Sequence, residues 1–131
     1  MEVPCITNNL IITLSLPFRP ISVNSMWKKS KFALYKTKKA KTFQQDICDF
    51  VKKLSIKNDI EFPIREPVEI LYIFHYKKYP QDLDNSIKVL QDSLQQAQVI
   101  LNDNLVYKIT AIKKVNCIND LINVFIYKYN I

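Results

Sequence analysis

The sequence predicts an α+β fold, in which a mixed sheet carries two main helices within one domain, residues 1–131. The length of 131 residues suits one hydrophobic core but not two. The composition, 48% hydrophobic and 11% aromatic, is typical of a folded chain rather than a disordered one. Segments rich in β-branched residues alternate with segments of helical apolar spacing, and this order favours helices layered on a sheet.

The N-terminal half is predicted to contain one strand and one helix. The strand, Leu10–Leu16, is rich in β-branched residues and ends before Pro17. An extended loop follows, and the segment from residue 21 to residue 41 is strongly basic. The helix is predicted from a cap at Thr37 to about Ile56, because the apolar residues between them recur at helical spacing.

The C-terminal half is predicted to contain three strands and a second helix. A polar break at residues 58–66 precedes a strand at residues 68–76. The second helix should run from near Asp84 to about Gln98, since its apolar residues share one face. Residues 107–115 and 121–129 are again β-rich, and the short polar link between them favours a hairpin. The order of the strands does not follow from the sequence.

The charge of the chain points to a polyanionic partner. Nineteen Lys and Arg residues against twelve Asp and Glu residues give a net charge of +7. The densest basic segment contains Lys28, Lys29, Lys31, Lys36, Lys38, Lys39 and Lys41, interleaved with Trp27, Phe32 and Tyr35. Lys77 and Lys78 follow the second predicted strand. The lysines are candidate phosphate contacts, and the aromatic residues either stack on bases or pack beneath the loop.

Several classes of site are excluded by composition. The chain contains no Gly, and both the Walker loop and the dinucleotide-binding fingerprint need Gly, so no nucleotide cofactor is expected. Turns should therefore use Asn at positive φ. No apolar stretch approaches the length of a membrane span, which predicts a cytoplasmic protein without membrane contact. Three cysteines and one histidine favour neither a zinc site nor a disulfide framework, and the cysteines are interpreted as packing residues or reactive thiols.

Three aspartates form a candidate Mg²⁺ site. Asp82 and Asp84 flank Leu83, whose side chain belongs to the buried helix face, so both carboxylates should face outward. Helix capping is the alternative explanation, although a cap needs only one carboxylate. Asp103 follows the second helix and could join them or form an ordinary turn. Carboxylate oxygens suit Mg²⁺, and phosphodiester hydrolysis uses such a metal to activate water.

Lys88 lies one helical turn after Asp84. In a structural interpretation the two form a surface ion pair worth a few tenths of a kcal/mol. In a functional interpretation the ammonium stabilises charge that develops on a phosphate during the reaction. The spacing does not separate these interpretations.

Two long stretches of the chain resemble the RusA family of Holliday junction resolvases, the crossover junction endodeoxyribonucleases. The first reads LPFRPISVNSMWKKSKFALYKTKKAKTF and is similar to the family's opening strand, its Pro-rich SVN loop with a following aromatic residue, and its Tyr-containing turn. The second reads QDLDNSIKVLQDSLQQAQVILNDNLV and is similar to its signature of DLDN, a Lys three residues later, a helix and an Asp doublet. The ordered combination is far more specific than its parts.

The resemblance implies a homodimeric nuclease that binds four-way DNA junctions and resolves them by paired symmetric nicks in recombination and repair. Asp82, Asp84 and Asp103 would bind Mg²⁺, with Mn²⁺ as the alternative ion. Lys88 would be the catalytic lysine. Asn85 would orient an acid or cap the helix, and Asp92 would have a supporting role at most.

The chain departs from the family pattern at Asn102, which stands where the first Asp of the doublet is usual. Two other functions compete with a junction resolvase. One is a noncatalytic basic DNA-binding protein, in which the acids are only caps and turns. The other is a less selective nuclease of flaps or forks. A DNA-cutting enzyme would be nucleoid-associated, and its gene could belong to a host or a prophage.

Overall fold

The computed structural model describes residues 9–22, 27–29, 34–58 and 61–130. Its elements are β1 (Leu10–Leu16), β2 (Trp27–Lys29), β3 (Leu34–Lys36), α1 (Lys38–Asn58), β4 (Val68–His75), α2 (Leu83–Gln96), β5 (Val106–Lys114) and β6 (Leu121–Lys128). A 3₁₀ turn, Asp103–Leu105, precedes β5. Two helices accompany a four-stranded mixed sheet, so the predicted α+β fold is confirmed.

The helices begin close to their predicted positions. Thr37 precedes α1, and its side-chain Oγ1 accepts the Ala40 N–H at 3.2 Å, while its carbonyl accepts the Lys41 N–H at 3.0 Å. Thr37 is therefore the N-cap, as predicted. Helix α2 starts one residue before Asp84 and ends at Gln96, two residues earlier than predicted.

The four-stranded sheet has the order β1-β6-β4-β5. Strand β4 is central, pairs in parallel with β5 and antiparallel with β6, and is buried along nearly all its length. Two parallel strands need a crossover connection, and α2 supplies it. Burial on both faces explains why the sequence of β4 is almost continuously apolar.

The predicted hairpin between the last two strands is wrong. Strands β5 and β6 do not pair with each other, because β4 lies between them. The link at residues 115–120 instead crosses the end of β4: the Tyr76 N–H donates to the Lys114 carbonyl at 2.9 Å, and the Cys117 N–H donates to the Tyr76 carbonyl at 3.0 Å. A short polar link predicts a turn between two strands, but it does not determine whether those strands pair with each other.

The basic segment is not a loop throughout. Strands β2 and β3 pair antiparallel, with Trp27 opposite Lys36. Strands of three residues are too short for an alternating pattern to be visible in the sequence. Lys31 and Phe32 lie outside the described residues.

The main core lies between the helices and one face of the sheet. Leu14, Tyr72 and Val124 contribute from the strands, and Ile47 and Leu90 from the helices. A smaller cluster of Leu71, Ile73 and Tyr127, with Ile112 and Phe125 against it, occupies the opposite face. Within the described residues, none of the helices has the length and apolar character needed to span a bilayer.

Candidate active site

The loop between β4 and α2 is held by its backbone. Arg19 donates from Nη1 to the Lys78 carbonyl at 2.9 Å and from Nη2 to the Tyr79 carbonyl at 2.8 Å. Asp120 Oδ1 accepts the Lys77 N–H at 2.9 Å and lies 3.5 Å from Arg19 Nη1. Tyr79 adopts a positive φ of 56° at this point. These contacts fix the chain just before it reaches Asp82.

The start of α2 is also tied to the strand that precedes it. The hydroxyls of Tyr76 and Ser86, both buried, lie 2.8 Å apart and share a hydrogen bond. Burial is the main cause that raises the pKa of Tyr76, so its hydroxyl stays protonated. Leu83 packs against the core from the first turn of α2. The two residues that flank Leu83 are therefore presented from a fixed support.

Asp82 and Asp84 are both exposed at the N-terminal end of α2. Asp82 occupies the N-cap position, but its side chain makes no capping hydrogen bond. The capping explanation is therefore wrong for this carboxylate. Within the described parts of the chain, neither acid has a hydrogen bond or an ion pair. Asn85 is half-buried in the same turn.

Lys88 pairs with Asp92 and not with Asp84. Its Nζ lies 3.0 Å from Asp92 Oδ1, an i, i+4 ion pair in which the Lys88 side chain remains 60% exposed. The hydrogen bond and the charge of Asp92 raise the pKa of Lys88, and the charge of Asp103 adds to this effect. The lysine thus stays cationic on the side of α2 that faces Asp103.

Asp103 is brought back to α2 by the loop that follows the helix. Its backbone N–H donates to Gln95 Oε1 at 2.9 Å. Asn102 Oδ1 accepts the Asn104 N–H at 3.0 Å and closes the 3₁₀ turn. The carboxylate is half-buried, and it lies near Lys88 and Asp92.

The predicted acids lie beside different turns of α2. Asp82 and Asp84 lie at its start, whereas Asp103 lies near Lys88 and Asp92, which follow Asp84 by one and two helical turns. Residues 9–22, 27–29, 34–58 and 61–130 contain no group of three His, Cys, Asp or Glu side chains arranged to hold a metal ion. The assignment of Asp103 as a metal ligand stays a prediction.

The pair at the start of α2 suits a hard divalent cation. Mg²⁺ keeps several waters and is commonly bound by one or two carboxylates together with substrate phosphates. Asp82 and Asp84 supply two exposed carboxylates that have no competing partner among the residues that the structure describes. Their chemistry therefore fits Mg²⁺, provided that water and phosphate complete the coordination.

A polar cleft of about 550 Å³ adjoins Asp103. Its lining residues are Lys36, Gln44, Asp92, Gln95, Gln96, Gln98, Asn102 and Asp103. Lys36 Nζ donates to Gln44 Oε1 at 2.8 Å. Gln44 is 3% exposed, and its Nε2 has no hydrogen-bond partner among the described residues. A buried donor of this kind needs an acceptor, and a water or a ligand in the cleft can supply it.

The predicted phosphate contacts lie in several places. Lys77 and Lys78 are exposed directly before Asp82. Lys29 of β2 is exposed, as are Lys38, Lys39 and Lys41 at the start of α1, whereas Lys36 lines the cleft. Trp27 and Lys28 belong to β2, and Tyr35 to β3.

Three residues that position or line this region were not predicted from the sequence. Arg19 binds a loop about sixty positions away, Gln95 holds the Asp103 loop, and Gln44 lines the cleft. Gln95 and Gln44 lie on helices whose periodicity marks only the apolar face, so no pattern distinguishes them from the other glutamines of these helices. The long-range partner of Arg19 has no sequence signal at all.

A family model described as Endodeoxyribonuclease RusA matches residues 17–127 and so includes Asp82, Asp84, Lys88 and Asp103. A search of curated proteins found no match.

Proposed function

This chain belongs to the endodeoxyribonuclease RusA family, and from that premise we propose that it resolves four-way DNA junctions by Mg²⁺-dependent, paired symmetric nicks. Family membership makes it an endodeoxyribonuclease of the Holliday junction resolvase type, and nucleases of this family act on branched DNA and generally depend on a divalent metal. The identity of the metal, the symmetry of the nicks and a role in recombination and repair at the nucleoid are the proposal.

The observation that carries the proposal is the exposure of Asp82 and Asp84 at the start of α2, where neither carboxylate has a partner among the described residues. Uncompensated carboxylates beside one another repel, and a cation relieves that repulsion. Bound there, Mg²⁺ would activate a water and neutralise charge on the scissile phosphate, and Mn²⁺ suits the same oxygen donors. We assign Asp103 as the third acid of the site.

Lys88 and Asn85 would assist. The exposed ammonium of Lys88 is held by Asp92 one turn further along α2, and it is free on its other sides to meet phosphate oxygens. A fixed positive charge beside the phosphate stabilises the transition state. Asn85, in the first turn of α2, would orient one of the acids.

DNA would be bound by basic side chains on both sides of these acids. Lys77 and Lys78 precede Asp82, and the exposed lysines of β2 and α1 extend the surface. Such contacts give affinity without sequence information. In the cleft beside Asp103, Gln44 Nε2 would donate a hydrogen bond to an oxygen of a phosphate or a base. Lys28, Lys31 and Trp27 complete the proposed set of DNA contacts.

Two symmetric nicks need two active sites related by a two-fold axis, which a homodimer supplies. The sheet face opposite the helices offers a surface for it, because Phe125 and Ile112 remain partly exposed there beside Leu71 and Ile73. Sedimentation at the concentrations used for cleavage tests the dimer. A purely monomeric protein that still makes paired nicks would contradict it.

Cleavage of labelled four-way junction, fork and linear duplex tests the proposed function, with Mg²⁺ or with EDTA. The wild-type chain should cut the junction at symmetric positions only with Mg²⁺. Asp84→Asn and Asp82→Asn should lower the rate at least about a hundredfold, because a carboxamide binds a hard cation weakly. Binding of the junction, measured by gel shift, should persist in both variants.

Asp49→Asn provides the matched control, since it removes the same charge from an exposed position of α1, outside both α2 and the loop before it. Its cleavage should fall far less than that of Asp84→Asn. If both Asp82→Asn and Asp84→Asn still cut the junction, the proposed metal site is wrong. Binding without metal-dependent cutting would favour a noncatalytic DNA-binding protein, and equal cutting of forks and junctions a less selective nuclease.

A further inference from the structure

The only histidine of the chain lies between an amide and a thiol at the end of β4. His75 Nε2 is 2.7 Å from Asn123 Oδ1 of β6, and His75 Nδ1 is 3.9 Å from Cys117 Sγ in the link between β5 and β6. A cleft of about 520 Å³ opens beside them, lined also by Pro17, Ile118 and Asp120. The three side chains form a Cys–His–Asn group.

Hydrogen bonding fixes where the proton of the imidazole resides. Asn123 Nδ2 donates to Ser15 Oγ at 3.4 Å, which turns its Oδ1 toward His75. An amide oxygen can only accept, so Nε2 carries the N–H. A neutral imidazole has one N–H, and Nδ1 is consequently left as an acceptor that faces the thiol.

The thiol is accessible and its backbone is fixed. Cys117 is half-exposed at the edge of the cleft, and its N–H donates to the Tyr76 carbonyl at 3.0 Å. Its Sγ also lies 3.8 Å from the Val115 carbonyl. A carbonyl can hold the S–H hydrogen but cannot take the proton, whereas the imidazole can. The thiolate is the nucleophilic form of cysteine.

Cys48 offers the opposite environment within the same chain. It lies half-buried on α1, and burial, followed by the negative charge of Asp49, raises the pKa of its thiol. No histidine adjoins it, because His75 is the only one in the sequence. Of these two thiols, only that of Cys117 has an imidazole beside it.

We propose that Cys117 is a nucleophilic thiol that exchanges with small-molecule disulfides in this cleft, with His75 as its base and Asn123 orienting the imidazole. His75 Nδ1 takes the Cys117 proton, and the thiolate attacks one sulfur of the disulfide. A new S–S bond joins Cys117 to that sulfur while the original S–S bond breaks. The leaving thiolate recovers the proton from the imidazolium, so the products are a mixed disulfide and one free thiol.

Thiol exchange on the full chain tests this site directly. Cys5→Ser with Cys48→Ser leaves only Cys117, and Cys5→Ser with Cys117→Ser leaves only Cys48. Each protein is mixed with hydroxyethyl disulfide, an uncharged probe, and mixed disulfide is followed by intact mass. In the folded protein, Cys117 should react at least about tenfold faster than it does in urea. It should also react at least about tenfold faster than Cys48 does in the folded protein.

Substitution of the base separates activation from simple exposure. His75→Gln in the Cys117-only protein should reduce the rate to that of the unfolded chain, with Cys117 still accessible. Asn123→Ala provides a second variant that leaves both reacting groups in place, and it should slow exchange partially. A folded Cys117 that reacts no faster than in urea would overturn the proposal. So would an unchanged rate in folded His75→Gln or, should that variant fail to fold, in Asn123→Ala.

Discussion

At the scale of single residues, the position of Asp103 depends on one side chain of α2. Gln95 Oε1 accepts the Asp103 N–H at 2.9 Å, in a partly buried contact between the helix and the returning loop. Asn102 and Asn104 close the turn through the hydrogen bond between them. Gln95 is therefore a positioning residue for the third acid of the proposed site.

Gln95→Leu should weaken metal-dependent cleavage without abolishing it. Loss of the acceptor frees the Asp103 loop, and partners of this kind are typically worth about ten- to a hundredfold in metal affinity or activity. A Mg²⁺ titration of the cleavage rate should show a higher half-saturating concentration. Gln96→Leu, at the exposed neighbouring position, is the control. Identical Mg²⁺ requirements in the two variants would rule out this role for Gln95.

The Lys88–Asp92 pair has a consequence for titration. Because Asp92 is the main cause of the raised pKa of Lys88, the ammonium persists as pH rises past the ordinary lysine value. Any stability that it contributes is present below the unfolded-state pKa and is lost as pH rises through the folded-state pKa. Asp92→Asn removes the negative charge and leaves only a weaker, neutral acceptor, so Lys88 should lose its proton at lower pH.

An NMR titration of the Lys88 Cε signal between about pH 9 and 12 measures this difference. The midpoint should be lower in Asp92→Asn than in wild type. Asp84→Asn, which removes an equal charge four residues before Lys88, should change it much less. Equal midpoints in wild type and Asp92→Asn would show that the ion pair does not form in solution.

How much of the site the sequence predicts varies residue by residue. The outward direction of Asp82 and Asp84 was predictable, because the helical register that buries Leu83 determines it. The partner of Lys88 was not, because Asp84 and Asp92 are equally spaced from it along the helix. The return of Asp103 to α2 depends on tertiary contacts that no local pattern encodes.

At the scale of elements, α2 ends in a Schellman motif built without glycine. The Val99 N–H donates to the Leu94 carbonyl at 2.9 Å, and the Gln98 N–H donates to the Gln95 carbonyl at 3.0 Å. Gln98 has a φ of 60°, where a residue with a Cβ is strained. Leu94 and Val99 are both buried and supply the hydrophobic contact of the motif.

Gln98→Gly should stabilise the fold by about 0.5–1 kcal/mol. Glycine adopts a positive φ without strain, and this gain exceeds the loss of the exposed hydrogen bond from Gln98 Nε2 to the Gln95 carbonyl. Urea denaturation should show a higher midpoint with the same slope. Asn116→Gly, at a φ of 57°, should gain less because Asn tolerates this region better. A lower midpoint for Gln98→Gly would contradict the expected relief of strain.

The elements themselves were more predictable than their arrangement. Leu10–Leu16 was predicted residue for residue, because β-branched composition and a following proline are local signals. The pairing of β4 with both β5 and β6 was not, since the polar link at residues 116–120 would suit a hairpin equally well. The expectation that Asn takes the positive-φ positions holds at Asn116, but Tyr79 and Gln98 share that role.

At the scale of the whole molecule, the lysines behind the net charge of +7 lie both inside and outside the predicted DNA contacts. Lys77 and Lys78 are exposed beside the proposed metal site. Lys52 and Lys53 are equally exposed, but they lie in the second half of α1 and outside the predicted DNA contacts. The two adjacent pairs carry the same charge, so they separate local phosphate contacts from the general attraction of a basic protein.

The salt dependence of junction binding distinguishes these contributions. If Lys77 and Lys78 each contact one phosphate, Lys77→Gln with Lys78→Gln should reduce the slope of log K against log salt by about 1.8, since each neutralised phosphate contributes about 0.9. Lys52→Gln with Lys53→Gln should leave the slope nearly unchanged. Binding would be measured by fluorescence anisotropy in EDTA, which prevents cleavage. Equal reductions of this slope in the two double variants would mean that the DNA is bound through the net charge of the protein and not through a localised surface beside Asp82.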